Sequence, residues 1–523
     1  MRYNGDGDSL IGIDVGTSVT KTLLFDLQGN ELKATSQSTK LIYRHSLWVE
    51  CDMTDVLGSV IKSVRTLVEM AKASQRRVIA IGITGQGDGT WLIDGNSLPV
   101  RPAITWLDGR SGSYVEQFDR TGVSRDVFRL TGSVLSTSNQ AVQLRWLKDH
   151  EPESLRRARA AIRAKDWVYY GLTGTLSTDF TDASHTYFNI HTKAYDKDIL
   201  HLIGVDDLSG LLPEARPSYE NKAKLLPSVA SEIGLRAGTP VVSGPFDVVA
   251  SDLGVGAIHP GDACTVLGTA GIHQIITKEL PKFPEQIGYT MCHAPSDLWI
   301  RCLPTMTGTL NTEWFVREIY FGPSQDRFSR SHGDAWNQIE DAVRSVPFGS
   351  RGVMYHPFID SAGERAPFVR HSARAQFTGL SIGHDRTAMA RAVYEGVVLS
   401  AIDCYSHLSR KIERLRLTGG GCRSSIWPEM FADALGCPVQ IVEGQEAGAK
   451  GAVINAAVSL GIFESYEDSC SKTVRLSREI LPTSGMSEKY ARLLELYRRT
   501  YTVMLPIWDD LQSFFANIEE ESP

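Results

Sequence analysis

No stretch of the 523 residues approaches the roughly 18 uninterrupted apolar side chains that a membrane-crossing helix needs, so no membrane partner is expected. Metal-type cysteine spacing is missing as well. The eight cysteines, at 51, 264, 292, 302, 404, 422, 437 and 470, contain no Cys-x-x-Cys pair, and their scatter fits a reduced, cytoplasmic setting. The thirteen histidines form no His-Glu-x-x-His pattern, and there is no Gly-x-Ser-x-Gly elbow, which removes zinc-peptidase and serine-hydrolase chemistry. A Gly-x-x-x-x-Gly-Lys-Ser/Thr string is absent, so any nucleotide is held by something other than a P-loop. Positive charge is not in excess: 54 Lys and Arg stand against 61 Asp and Glu, a net −7 that argues against a broad nucleic-acid surface. Met1 to Ser9 is polar and lacks the basic and then apolar regions of a signal peptide, and Glu519-Glu520-Glu521 reads as a solvated acidic tail.

What remains is a chain with 42% hydrophobic and 22% charged residues, long enough for about two to four domains with a sizeable core. Leu10–Val15 and Lys21–Asp26 are apolar runs separated by Gly16-Thr17-Ser18, which predicts a β-hairpin. Leu57, Val60, Ile61, Val64, Leu67 and Val68 recur at helical spacing, and Val78–Ile83 follows as a buried strand, so the class is mixed α/β. The second half repeats these signals in the same order. Gly268-Thr269-Ala270 after Thr265-Val266-Leu267 echoes the first hairpin, and Leu417-Thr418-Gly419-Gly420-Gly421 echoes Ile83-Thr84-Gly85-Gln86-Gly87. Gly436-Cys437-Pro438-Val439 echoes Gly238-Thr239-Pro240-Val241, each leading to a helix rich in small residues, Ala447–Ala457 and Val248–Gly256. The shared order predicts two related lobes meeting near His259-Pro260-Gly261. A basic run, Arg156, Arg157, Arg159, Arg163 and Lys165, reads as a solvated helix face.

A nucleotide held by such lobes needs backbone donors on its phosphates, a carboxylate for magnesium and a base beside the acceptor hydroxyl. Asp14, just before Gly16-Thr17-Ser18, is placed to organise the metal and phosphates, Lys21 adds a positive charge, and Gly268-Thr269-Ala270 supplies donors from the second hairpin. Taken singly, each hairpin equally fits a plain β-turn with a capping Asp; one per lobe favours the phosphate reading. Gly419-Gly420-Gly421 would let a flat ring approach the backbone, or is an ordinary strand-to-helix turn. Asp247, after Gly244-Pro245-Phe246, either caps the following helix or accepts a proton from a substrate hydroxyl. Gln86, Asp88 and Asp108 offer hydrogen bonds to vicinal hydroxyls and Trp106 an apolar wall, with core packing of Trp106 and an Asp108–Arg110 surface pair as the alternatives.

Ile11-Gly12-Ile13-Asp14-Val15-Gly16-Thr17-Ser18 with Lys21, the Phe246-Asp247 region, Leu267-Gly268-Thr269-Ala270 and Leu417-Thr418-Gly419-Gly420-Gly421 together resemble the FGGY carbohydrate kinases, in family order from about residue 10 to about residue 465. The resemblance implies an α/β fold of two actin-like, ribonuclease H-like lobes, with an ATP cleft between them: residues 8–258 with the sugar site and base, 259–490 with the nucleotide site, and 491–523 as a helical tail. It makes Asp247 the catalytic base and Asp14 and Asp247 the magnesium carboxylates. Gly16, Thr17, Ser18, Lys21, Gly268 and Thr269 fall on the phosphate side, and Gly419, Gly420 and Gly421 on the adenine side. Ser424 stands where the family often has Asn. Gln86, Asp88, Trp106, Asp108 and Phe246 fall in the substrate pocket, where the glycines at 85, 87 and 89 leave room.

Gly87-Asp88 departs from the Arg-Glu pair of glycerol kinases and the Met-His pair of xylulokinases. Gly85–Trp91 with Trp106–Arg110 is similar to erythritol kinases, and Phe246-Asp247-Val248-Val249 to L-xylulose kinases. The expected activity is ATP- and Mg2+-dependent phosphorylation of a small acyclic polyol or a pentulose, with no nucleic-acid or membrane partner; a homodimer is admitted. The rival readings are an actin-like ATPase with a mechanical or chaperone role and a sugar-binding regulator without catalysis.

Overall fold

Apolar residues fill both faces of the first strands, and each face meets its own helix. The computed structural model describes residues 7–45, 47–280, 285–322, 332–408 and 410–521. Strands β1 (Asp8–Val15), β2 (Val19–Asp26) and β3 (Glu31–Ser38) form an antiparallel meander. Strand β4 (Arg77–Gly85) runs parallel to β1. Beyond it lie β5 (Lys222–Lys224) and β6 (Pro240–Ser243), giving the order β3-β2-β1-β4-β6-β5. Because side chains alternate along a strand, Ile11, Ile13, Val15, Ile81 and Ile83 pack with Val56, Val60, Val64 and Leu67 of the Met53–Ala73 helix. Leu10, Leu23, Phe25 and Ala80 face the Ala447–Ser459 helix through Ala449, Val453 and Ala457. On that face the sheet carries glycine: a Cβ at Gly12 would lie 2.4 Å from Ala449 O, and one at Gly82 2.3 Å from Ala452 O. The helix backbone rests directly on the strands.

The second sheet has seven strands: Tyr289–Cys292 is an additional edge strand outside β9, and the other six, β7 (Asp262–Leu267), β8 (Gly271–Thr277), β9 (Trp299–Thr305), β10 (Arg414–Thr418), β11 (Val439–Val442) and β12 (Leu476–Ile480), run in the order β9-β8-β7-β10-β11-β12. For these six this is the order of the first sheet, strand for strand. The senses agree too: β7 is antiparallel to β8 as β1 is to β2, β7–β10–β11 are parallel as β1–β4–β6 are, and the last strand is antiparallel in both. The echoes in the sequence are thus a repeated α/β unit.

The two compact units divide differently from the expected 8–258, 259–490 and 491–523. The first runs to Pro260 and also takes Ile276–Arg301 and Glu443–Arg475; the second takes Gly261–Ile275, Cys302–Val442 and the chain from Leu476. The reason for one difference is the Ala447–Ser459 helix, which covers the first sheet. The other is that the terminal helix, Met486–Glu521, is part of the second unit: Tyr490, Leu494, Tyr497, Tyr501 and Trp508 are buried on one of its sides, and Arg498 Nε donates to Asp403 Oδ1 at 2.6 Å. Residues 1–6 lie outside the described residues, as do the side chains of the acidic end Glu519–Glu521.

The basic run is corrected as well. Arg156, Arg157 and Arg159 are solvated, but a strand, Ala158–Ile162, interrupts the helix, and Arg163 and Lys165 turn inward. Lys165 Nζ, fully buried, sits 2.7 Å from Asp166, 3.0 Å from Asp179 and 3.3 Å from Asp182, while Arg163 Nε lies 3.0 Å from Asp182. The two cations therefore stand against three buried carboxylates, one positive charge short of neutrality. No helix among the described residues is long and apolar enough to cross a membrane.

Candidate active site

Asp14 stands next to last in β1, and the chain reverses at Gly16, where a Cβ would lie 2.5 Å from Val19 O. A Cβ on Gly448, in the first turn of the Ala447–Ser459 helix, would lie 2.6 Å from Asp14 Oδ2. Glycine at 448 therefore seats the carboxylate against a helix N-terminus, whose unpaired N–H groups favour negative charge. Burial nonetheless pushes the Asp14 carboxyl up to about 6; Lys21 opposes the rise and Glu446 adds to it. Lys21 Nζ donates to Glu446 Oε2 at 2.7 Å, so its charge is shared between that partner and Asp14.

Asp247 opens the Asp247–Val255 helix directly after the turn that ends β6. The turn is pinned by Gly244 N donating to Ile83 O at 2.7 Å, Thr84 Oγ1 to Pro245 O at 2.7 Å and Phe246 N to Thr181 Oγ1 at 3.0 Å. Val248 N donates to Asp247 Oδ1 at 2.7 Å, while Oδ2 has no hydrogen-bond partner among the described residues. Anchoring the helix start and accepting a proton are therefore compatible roles for the two oxygens. The Asp247 carboxyl is held well above the ordinary carboxylate range, first by burial and then by the negative charge of Asp14; Val248 N–H opposes this, and Asp182 and Asp88 add to it. The two carboxylates are thus near enough for the charge of Asp14 to raise Asp247.

Thr17 Oγ1 donates to Gln86 Oε1 at 3.0 Å and accepts from Trp106 Nε1 at 2.7 Å, which ties the first turn to two of the expected pocket residues. Gly16 and Ser18 lie in that turn, and Ser18 is exposed. Asp88 is buried, with φ of 58°, a backbone region that non-glycine residues avoid unless held there. It accepts from Ser138 Oγ at 2.8 Å, from Asn139 Nδ2 at 3.3 Å and from His185 Nδ1 at 2.9 Å. His185 is the main influence holding its carboxyl below the usual range against the opposing effect of burial.

Two expectations fail here. Asp108 is fully buried, and its oxygens are consumed by Val49 N and by Arg110 N, Nε and Nη2, all within 3.0 Å, so it holds Arg110 rather than a substrate. The glycines at 85, 87 and 89 leave no room: a Cβ would lie 2.8 Å from Val15 Cβ, 2.5 Å from the Phe246 ring and 2.6 Å from Ile104 O, respectively. Protein already fills the space that glycine provides.

In the second unit, the Gly268-Thr269-Ala270 turn is braced by Gly308 N donating to Thr269 O at 2.6 Å and Thr309 N to Gly268 O at 2.8 Å, with the Thr269 side chain exposed. Gly419, at φ of 86°, and Gly421 pack against Leu267, whereas a Cβ on Gly420 would meet nothing within 4 Å. Of the three glycines, only Gly420 offers open backbone. Ser424 Oγ accepts from Ile426 N at 3.1 Å and Trp427 N at 3.2 Å; it is spent on starting the Trp427–Leu435 helix rather than poised for an adenosine. The sequence reading missed Ser138, Asn139, His185, Glu446 and Gly448. For His185 the available signal was the dense polar run from Thr178 to His185.

Residues 9–254 match the N-terminal domain of the FGGY family of carbohydrate kinases, and residues 263–460 match its C-terminal domain. The chain belongs to that family. It is 32% identical over 513 residues to the erythritol kinase of Brucella abortus, covering 97% of this chain and 98% of that one. It is 28% identical to the L-xylulose/3-keto-L-gulonate kinase of Escherichia coli, covering 98% and 99% of the two chains. Among solved structures, the xylulose kinase of Rhodospirillum rubrum superposes with a TM-score of 0.86 at 26% identity, covering 96% and 100%. That of Lactobacillus acidophilus superposes with a TM-score of 0.87 at 23% identity over 96% and 100%. The fold is therefore the actin-like fold of two α/β units, and the activity is ATP-dependent phosphotransfer to an alcohol group of a small sugar or polyol. For this FGGY kinase the readings as a mechanical ATPase or a non-catalytic sugar-binding regulator are not favoured.

Proposed function

We propose that Asp247 is the general base, that Asp14 and Asp247 together hold Mg2+ with the ATP phosphates, and that the acceptor is an acyclic polyol of four or five carbons. The observation that carries the first two parts is the pair of carboxylates, each raised by burial and by the other acids around it. Among the described residues no group of three or more His, Cys, Asp or Glu could hold a metal ion. One or two carboxylates plus substrate phosphates is the donor set Mg2+ favours, so the residues fit the ion. When bound there, the ion spreads the charge that develops on the transferring phosphoryl group. Asp247 Oδ2 takes the proton of the primary hydroxyl as that oxygen bonds to the γ-phosphorus and the bond to the β-phosphate oxygen breaks, releasing ADP. The Gly16–Ser18 and Gly268–Ala270 turns supply phosphate donors, Lys21 adds charge, and Gly420 leaves backbone open to a base.

The acceptor assignment rests on the 32% identity to an erythritol kinase and on the polar side chains Gln86, Asp88 and His185 grouped with Trp106 and Phe246. A coupled ADP assay over erythritol, xylitol, ribitol, glycerol, D-xylulose and L-xylulose tests it. Acceptor-dependent turnover is expected to be highest with a four- or five-carbon polyol. Highest kcat/KM with a pentulose would overturn the acceptor assignment.

The raised carboxyls also set a pH dependence. Both groups act as carboxylates, so activity is lost as they protonate. With Asp14 near 6 and Asp247 above the ordinary range, the acid limb of kcat/KM for ATP, which reports the free enzyme, is expected at pH 6 or higher. A limb near pH 4 would contradict the arrangement.

A further inference from the structure

The sequence placed Asp88 in direct contact with substrate, yet its oxygens already accept from Ser138, Asn139 and His185. The residue left with something to offer is His185. Its side chain is about nine-tenths buried, Nδ1 is engaged by Asp88 at 2.9 Å, and Nε2 has no hydrogen-bond partner among the described residues. In a side chain otherwise packed against protein, a ring nitrogen without a protein partner is free to meet a ligand. The ring is fixed on its other sides by Tyr289, with centroids 4.6 Å apart, and by Phe246, 5.8 Å away. Phe246 directly precedes Asp247, so the imidazole stands one ring from the base.

We propose that His185 is the acceptor-reading residue of this kinase, oriented by Asp88 and recognising through Nε2 a substrate hydroxyl other than the one phosphorylated. This rests on the kinase reading of Asp247 and goes further by naming how the polyol is selected. In the neutral ring the proton sits on Nδ1, where the Asp88 carboxylate accepts it, so Nε2 presents a lone pair. A lone pair accepts from a hydroxyl and gains nothing from a carbonyl oxygen. The pair therefore favours an alditol over the 2-ketose of the same carbon number, because a site built for a hydroxyl penalises the analogue that lacks it.

The two amide replacements separate this from a structural role. Asn can place its amide near Nδ1 and keep the bond to Asp88 while removing Nε2; Gln can reach the Nε2 position and loses the Asp88 bond. Steady-state kinetics at pH 8 with erythritol against erythrulose and xylitol against xylulose would be measured for wild type, His185→Asn and His185→Gln. His185→Asn is expected to raise KM for the alditol roughly 10–100-fold, the effect of leaving one hydrogen bond unmade. KM for ATP should stay within about twofold, and the alditol-over-ketose preference should narrow. His185→Gln is expected to keep more of the alditol affinity than His185→Asn. The reverse ranking, or equal loss on alditols and ketoses, would overturn the proposal and leave His185 a brace for Asp88. Wild-type turnover with none of these acceptors would instead overturn the acceptor assignment on which it rests.

Discussion

Asn in place of Asp247 is expected to lower kcat roughly a thousandfold, within the range associated with removing a general base, while ATP binding measured by calorimetry stays within a few-fold. The structure adds a second expectation that separates loss of chemistry from loss of fold. The Asp247 carboxyl is raised in the folded protein by burial and by Asp14, so its ionised form weakens the fold. Below the unfolded value near 3.8 the group is protonated in both states and no penalty applies; the penalty grows as pH rises toward the folded value and is then fully present. Asp247→Asn removes it. The variant, free of nucleotide and metal, should therefore melt at a higher temperature than wild type at pH 8, with the difference vanishing near pH 4. Wild-type kcat in this variant would place the base elsewhere, and a lower melting temperature at pH 8 would mean that the carboxylate is neutralised by something other than substrate.

The largest stability effect is expected at Lys165. Met fills its volume but leaves Asp166, Asp179 and Asp182 buried around a missing cation, with only Arg163 opposing them. Removing one partner of a buried charge group typically costs about 3–5 kcal/mol, enough to shift the urea midpoint of the whole protein visibly. Combining Lys165→Met with Asp166→Asn should recover part of the loss, since it removes one of the uncompensated charges. A single Lys165→Met variant as stable as wild type would show that water or protonation already neutralises the cluster. Because Asp182 also pushes the Asp247 carboxyl upward, the same substitution is expected to move the acid limb of the rate profile to higher pH.

Lys165 also marks the boundary of what the amino-acid order reveals. The hairpins around Gly16 and Gly268 were legible because short apolar runs and small turn residues are local signals, and their repetition exposed the duplicated sheet. The placement of Asp14 at a strand end and of Asp247 at a helix start was legible for the same reason: each stands next to a glycine turn. Arg163 and Lys165 were misread because two of their acid partners, Asp179 and Asp182, come from the start of a separate short helix, and a row of cations among alanines looks solvated until those acids fold against it. Asp108 was misread because its donors include a backbone amide 59 positions earlier. The glycines at 85 and 87 looked like open space because the Val15 and Phe246 side chains that fill it come from other strands and turns. For His185 the polar run before it marks the segment but not the residue; its pairing with Asp88, 97 positions away, gives it meaning.

The bare glycine face of β1 and β4 has a consequence for biosynthesis. Its cover, the Ala447–Ser459 helix, is translated more than 360 residues after Gly82, so an emerging chain displays Leu10, Leu23 and Phe25 to the surrounding medium until nearly all of the protein has left the ribosome. The first-made unit is thus among the last to be completed, and a nascent chain stalled before residue 447 presents a sticky half-sheet for chaperones, or for other nascent chains, to capture.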